Sequence, residues 1–523
     1  MKRRNFLKTS ALIPVSFGSL KMRAMSSSPL LNMVAGRAAQ NDRVLVLILL
    51  GGGNDGLNTL IPTDQYSNLS KARANVLIPE GKVLSMTGKT GIGLHPSMTG
   101  FQDMYNNGLV SAVQAVGYPS PNFSHFRSTD IWMTGSDSNE NWNTGWMGRY
   151  LDAQYPGFPG GYPSVSMPDP LAIEVGSTVS LAFMGPETSM ALAISNPSTF
   201  YTLVDGRVDP APKSHYGKEL SYIRQIGIQT NAYATSIKDA AGKANNLSTK
   251  YPNGNNLADQ LKIVARLIKG GLKTPVYMVN LGGFDTHSAQ VDSSDVTKGA
   301  HANLLGNLSS AIAAFQDDLK LLGIEDRVAG MTFSEFGRRI QSNFSVGTDH
   351  GAAAPLFVFG TGVQKGIIGS NPTIPSTTTV NDNVPMQYDF RQIYASVLKD
   401  WFGLTATEVK DAMGGKDFNT LPIFKGSISS LEDYADILST LKLEDAFPNP
   451  AIDRTSIAFY TDGGQVQLEL YDALGTRIST LTSSKYAAGK HTIEVDLTGL
   501  RGGNYFYQLS QGNKKITKVL VIQ

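Results

Sequence analysis

Seven consecutive apolar residues, Val44-Leu45-Val46-Leu47-Ile48-Leu49-Leu50, run straight into Gly51-Gly52-Gly53-Asn54-Asp55-Gly56. A strand with one face in water alternates apolar and polar residues, so an unbroken apolar run points to a strand covered on both faces. Such a strand belongs in a sheet with helices on each side. The chain keeps this rhythm further on, with apolar runs at Leu109 to Val116, Pro275 to Leu281, Arg327 to Phe333 and Pro355 to Phe359. Helical spacings of three and four separate them. Leu257, Leu261, Val264 and Ile268 mark one helix, and Leu304, Leu308, Ile312, Phe315, Leu319 and Leu322 mark another. Asp389 to Trp401 marks a third. Strand–helix–strand alternation predicts an α/β fold with a mainly parallel sheet between two helical layers. Ligands of such sheets sit beyond the carboxyl ends of the strands. Charge narrows the chemistry: 45 Lys and Arg against 43 Asp and Glu leave +2, without the basic excess of a nucleic-acid protein. The absence of Cys excludes disulfides, thiolate metal sites and Cys nucleophiles.

The two ends read differently from the middle. Lys2, Arg3 and Arg4 precede a short, mildly apolar stretch from Ala11 to Leu20, too short to span a membrane. This is the pattern of an export signal. Arg3-Arg4 followed by Asn5-Phe6-Leu7-Lys8 resembles the twin-arginine signal, and residues 1–40 are expected to be removed. Toward the other end, Val466, Leu468 and Leu470 alternate with polar residues, as do Ile493, Val495 and Leu497. Tyr505, Tyr507, Ile516, Val519 and Val521 continue the style, with Gly512-Asn513 as a turn. A small antiparallel β-sandwich is expected over 447–523. Pro448-Asn449-Pro450, Leu470-Tyr471-Asp472 with Gly475, Leu500-Arg501-Gly502-Gly503-Asn504-Tyr505 and Lys518 to Ile522 resemble the C-terminal sorting domain of type IX secretion cargo. That resemblance implies the export and type IX secretion machinery as partners. It implies a protein that is secreted or held on the outer cell surface. The expected division is a signal at 1–40, an α/β domain at 41–430, a linker at 431–446 and the sorting domain at 447–523.

Polar, glycine-flanked clusters follow the strands of the middle region. They are Gly51 to Gly56, Asn122 to Ser128, Gly282 to His287, Ser334 to Arg339 and Gly347 to Gly351. Three of the seven histidines, His125, His287 and His350, fall in them. Asp55, Asp285, His287, Glu335 and His350 offer carboxylate and imidazole donors, a set that suits zinc first, with manganese, iron or calcium as alternatives. A metal pair would hold an anionic substrate and stabilise the attacking and leaving oxygens of an in-line displacement. A hydroxyl beside a metal loses its proton more readily, which makes Ser124 the candidate nucleophile. Arg127 could fork onto two oxygens of a phosphate or sulfate, and His125 stands between them in this catalytic set. The run 51–56 is neither a phosphate loop nor a dinucleotide fingerprint, since the required Lys-Ser or Lys-Thr and the glycine spacing are missing. Trp132, Trp142 and Trp146 are expected to pack a loop onto the core rather than stack a sugar.

Gly52 to Gly56, Ser124-His125-Phe126-Arg127, Gly145 to Tyr150, Phe284 to His287, Ser334 to Arg338 and Gly347 to Gly351 resemble, in that order, the family catalogued as domain of unknown function 1501. The likeness spans about residues 42 to 415. More remotely, that family resembles the alkaline phosphatase and sulfatase superfamily. The resemblance implies an alkaline-phosphatase-like α/β/α sandwich and bound metal ions. In superfamily order, Asp55 takes the place of the first metal ligand and Ser124 that of the nucleophile. Asp285 with His287, Glu335 and His350 take the places of later metal ligands. Two differences stand out: Asp285 and His287 are two residues apart where the superfamily has four, and Ser334-Glu335 replaces an Asp-His pair. The function implied is an exported metal-dependent hydrolase of phosphate or sulfate esters, glycan esters included. The alternative is a non-catalytic surface protein that binds a metal or glycan on the same fold.

Overall fold

Val44–Gly51 (β1) is buried along most of its length because its two faces enter different cores. Val44, Val46, Ile48 and Leu50 pack into one, and Leu45 and Leu47 into the other. The computed structural model describes residues 42–197, 231–425 and 441–523, the last without 445, 447, 462, 474, 488, 512 and 513. The signal expected at 1–40, most of the linker expected at 431–446, and the Gly512-Asn513 turn lie outside the described residues. The chain divides into two compact units on either side of Ser427 and Ile428.

In the first unit, β1 lies inside a nine-stranded sheet. Its other strands are Val110–Gly117 (β2), Ala172–Val175 (β3), Leu192–Ile194 (β4), Val276–Gly282 (β5) and Val328–Phe333 (β6). Ala354–Phe359 (β7), Gly366–Ile368 (β8) and Tyr388–Asp389 (β9) complete it. The order is β8-β2-β7-β6-β1-β5-β3-β4, with β9 also beside β2. β7 is antiparallel to both β2 and β6, while the remaining pairs are parallel. The Pro355–Phe359 run thus differs from the parallel arrangement its neighbours adopt. The cause is the connection: a hairpin of Arg338–Ser342 and Thr348–His350 joins β6 to β7, without the crossover helix a parallel return needs.

Helices cover both faces. They are Tyr66–Arg73 (α1), Thr99–Asn106 (α2), His125–Thr134 (α3), Trp146–Gln154 (α4), Asn256–Lys269 (α5), Ala300–Leu321 (α6) and Phe390–Ser396 (α7). On one face α2, α5 and α6 bury Phe101, Leu261, Val264, Ile312 and Phe315. On the other, α3, α4 and α7 bury Ile131, Trp146, Leu151 and Ile393. Each such side chain contributes about 1.5–3 kcal/mol on leaving water. The fold is therefore an α/β/α sandwich, as the apolar runs imply. Local signals start the helices: Asn255 caps α5 by accepting from the Ala258 N–H, and Asp389 with Gln392 forms a capping box on α7. The helix expected to continue to Trp401 changes to a π turn over Val397–Trp401. Trp132 stacks on Phe390 and Trp146 on Tyr394 inside the core, and Trp142 lies under Arg149.

In the second unit, Arg454–Thr461 (β10), Gly464–Tyr471 (β11), Arg477–Tyr486 (β12), Gly489–Asp496 (β13), Gly503–Gln511 (β14) and Lys514–Ile522 (β15) form two antiparallel sheets. β10 and β13 share one with Lys442–Leu443, and the order in the other is β12-β11-β14-β15. Val466, Leu468, Leu470, Tyr507 and Leu509 point inward, as their alternation predicts. On β15 the phase differs from the expectation. Leu520 and Ile522 are buried, with Ile516 packed against them, whereas Val519 is 45% exposed. Successive strand residues face opposite ways, so inward even positions turn Val519 and Val521 outward. Among the described residues no helix is long and apolar enough to cross a membrane.

Candidate functional site

β6, β1 and β5 are adjacent and end at one level, with Leu49 opposite Phe333 and Gly51 opposite Gly282. The loops that leave these ends meet above the sheet. Gly52 has φ +121°, and a Cβ there would lie 2.3 Å from the Asp285 nitrogen. Only glycine permits that approach. Arg338, 1% exposed, ties the loops together. Its Nε donates to the Gly53 carbonyl at 2.8 Å and Nη1 to the Thr348 carbonyl at 2.7 Å. Its Nη2 donates to the Phe284 carbonyl at 3.0 Å, to Asp285 Oδ1 at 2.7 Å and to the Gly52 carbonyl.

Three imidazoles surround that Asp285 oxygen. His287 Nε2 and His350 Nε2 each lie 3.2 Å from Oδ1, and His125 Nε2 lies 3.5 Å away. His125 is the first residue of α3, His287 is in the loop after β5, and His350 ends the hairpin. The other nitrogen of each ring is occupied. His125 Nδ1 meets Glu335 Oε1 at 2.8 Å, His287 Nδ1 meets Asp349 Oδ1 at 2.9 Å, and His350 Nδ1 meets the Phe123 carbonyl at 2.7 Å. A carbonyl or carboxylate oxygen can only accept, so each Nδ1 carries a proton in these bonds, while the three Nε2 atoms face inward onto Asp285, itself only an acceptor. His287 Nε2 and His350 Nε2 are 2.8 Å apart. A proton on either ring makes this contact an N–H···N hydrogen bond, whereas two bare nitrogens at that separation repel unless a cation lies between them.

The electrostatics point the same way. Burial opposes ionisation of Asp285, but hydrogen bonds from Arg338 and His350 and the charges of Arg338 and His287 bring its pKa down to about 2. Asp349 is also lowered: burial opposes this, and bonds from His287 and Asn343 prevail. Burial lowers the His350 pKa against the pull of its bonds to Phe123 and Asp285, which favours the neutral ring. Anionic oxygen and neutral imidazole are the forms that ligate metals. Donor atoms of His125, Asp285 and His350 lie within 4.8 Å of one another, the one group among the described residues that could hold a metal ion. The donor chemistry fits a divalent cation of the zinc class. The Nδ1 contacts to Glu335, Asp349 and Phe123 are of the kind that orient ligating histidines. The side chains of His125, Asp285, His287 and His350 are 33%, 47%, 43% and 21% exposed, so the centre opens to water.

The remaining expected residues fall elsewhere. Asp55, expected as a ligand, is 1% exposed and paired with Arg73, and Gln290 Nε2 donates to its Oδ2 at 2.6 Å. Glu335, also expected as a ligand, accepts from the Gly52 N–H and from His125, each at 2.8 Å, and so orients the His125 ring. His125, expected beside the nucleophile in catalysis, has its ring in the cluster. Ser124 is exposed at the N-cap of α3, and its side chain makes no cap bond. Arg127, expected to grip an anion, turns Nη2 to the carbonyls of Asp137, Ser138 and Glu140. Arg338 and Asp349 lie inside the sequence motifs without having been assigned roles. Arg73 carries no local signal, since its partner is 18 residues away.

The family model described as "Protein of unknown function (DUF1501)" matches residues 79–413. The likeness expected from about residue 42 is therefore shorter, and the loop 51–56 lies outside it. The model described as "Secretion system C-terminal sorting domain" matches residues 445–523. No curated protein matches the chain. Among solved structures, a sulfatase from Pseudoalteromonas sp. is 10% identical with a TM-score of 0.33, covering 90% of this chain and 88% of that one. A protein in the alkaline phosphatase superfamily from Vibrio parahaemolyticus is 10% identical with a TM-score of 0.31, covering 85% and 83%.

Proposed function

The chain belongs to the DUF1501 family and carries a secretion sorting domain that marks it for export, and from that premise we propose an exported metal-dependent hydrolase of phosphate or sulfate esters, glycan esters included. The observation that carries this reading is the pair of inward imidazole nitrogens 2.8 Å apart beside the Asp285 carboxylate, in a centre open to solvent. His125, His287, His350 and Asp285 would hold the ion. Zinc is the first choice for an imidazole-rich set, ahead of manganese or calcium, which prefer more oxygen. A bound divalent ion would supply Lewis acidity toward an ester oxygen. Arg338 keeps Asp285 charged and fixed in place. Ser124 is the nucleophile in this reading, with its hydroxyl free of capping. The first-turn N–H groups of α3, which have no partners within the helix, favour an anion beside it.

One observation favours a second reading, a non-catalytic surface protein that binds a metal or glycan: the Arg127 guanidinium is engaged by loop carbonyls instead of offering a fork to an anion. Turnover separates the two. Full-length protein loaded with zinc, manganese or calcium is assayed on phosphomonoester, phosphodiester and sulfate ester panels against Ser124→Ala. The hydrolase reading expects Ser124→Ala to lose about a hundredfold or more in rate, the scale of a transition-state contact, while keeping its metal. Equal rates with every metal select the second reading.

A further inference from the structure

The sequence offers donors for a metal pair, with Asp55 and Glu335 among them. The surroundings of those carboxylates oppose it. We infer that the centre takes a single metal ion, and that two buried arginines hold the fixed positive charge a second ion would have brought. This rests on the hydrolase reading above for the first ion.

Asp55 has no room for a cation. Arg73 Nη1 and Nη2 donate to Oδ1 and Oδ2 at 3.0 and 2.8 Å, a parallel two-point pair, and Gln290 adds a third donor. Both partners are buried, Arg73 at 0% and Asp55 at 1% exposure. Guanidinium does not deprotonate, so a divalent ion at Asp55 would meet a permanent buried positive charge. Swinging Arg73 away would strand that charge in the core.

Glu335 is 3% exposed, and its Oε1 takes two donors, the Gly52 N–H and the His125 ring. Its Oε2 has a 3.3 Å contact with the Ser334 hydroxyl. One carboxylate oxygen does not make a second coordination shell, and the nearest buried imidazole on the Asp55 side, His301, turns Nε2 to Asn54 at 3.1 Å. The second arginine, Arg338, donates to Asp285 at 2.7 Å, next to the first ion's ligands. Charge balance around the Gly51 to Asp55 loop is thus met by Arg73 and Arg338 with one divalent ion.

The test is metal stoichiometry by elemental analysis of the full chain, saturated with zinc and desalted. It is paired with zinc X-ray absorption on the unmutated protein, which needs no variant to fold. One equivalent is expected for wild type and for Asp55→Asn, with loss in His350→Ala. The absorption spectrum should show an imidazole-rich shell without a metal–metal distance. Two equivalents with a metal–metal distance of about 3.5–4 Å, or loss of an equivalent in a folded Asp55→Asn variant, overturn the single-ion inference alone. No retained zinc in wild type overturns the hydrolase reading and the inference with it.

Discussion

Arg338→Lys keeps the positive charge and removes the planar fork. Arg338 makes five hydrogen bonds, to three loop carbonyls, to the Thr348 carbonyl and to Asp285. A lysine ammonium has three donors, so at least two of the five bonds are lost; the Phe284 carbonyl keeps the Thr286 N–H and Asp285 meets water, which leaves the Gly52, Gly53 and Thr348 carbonyls to bear the cost. Each buried acceptor without a partner costs about 1–3 kcal/mol, which puts the loss at roughly 2–6 kcal/mol. In large domains a kcal/mol moves the melting temperature by roughly 2 °C, so the expected fall is on the order of 5–10 °C. Calorimetry in a chelator isolates this term, and the exposed Arg501→Lys serves as control. Zinc affinity should fall as well, because Asp285 loses the fork that fixes its position. The reasoning is refuted if Arg338→Lys melts together with the control and binds zinc as wild type does.

Burial holds His301 neutral, and the Arg73 and Arg338 charges add to this against the pull of Asp55, with its pKa down to about 4. The unfolded chain then binds the extra proton below about pH 6.5. Stability should drop by about 3 kcal/mol from that term as pH falls from about 6.5 to 4, and His301→Gln should flatten the curve in denaturant titrations. Gly52→Ala sets a methyl group 2.3 Å from the Asp285 nitrogen, so metal affinity and melting temperature should both fall, where Gly88→Ala, with open space around it, leaves metal affinity unchanged. Residues 42–430 should fold without the sorting domain, whose buried side chains form their own core. A truncated chain that aggregates under conditions where the full chain is soluble would contradict this.

The layers of the fold were legible because burial on two faces leaves a continuous apolar run, as in Val44 to Leu50. The reversed β7 was not, because its direction is set by a hairpin whose residues look like a loop. The site was legible as a set of clusters, while the contacts of its single residues were not. His125, His287, His350 and Asp285 carry their donor chemistry in their residue types. Asp55 looked like a ligand because its partner Arg73 sits on a separate helix, where no spacing rule connects them. Glu335 and Arg127 look the same in sequence whether they face an ion, a ring nitrogen or a loop carbonyl. Their orientation is decided by tertiary packing alone. Val519 and Val521 were misplaced by one step of a two-residue period, which apolar residues on both faces of β15 obscure.

The central claim is that three imidazoles and one carboxylate converge on one metal ion. Anomalous diffraction at the zinc edge, from crystals of the full chain grown with zinc, tests it most directly. The predicted result is one strong peak about 2.0–2.2 Å from imidazole nitrogens of His125, His287 or His350 and from the Asp285 carboxylate. A map with no peak among these residues, or with its main peak at Asp55, contradicts it.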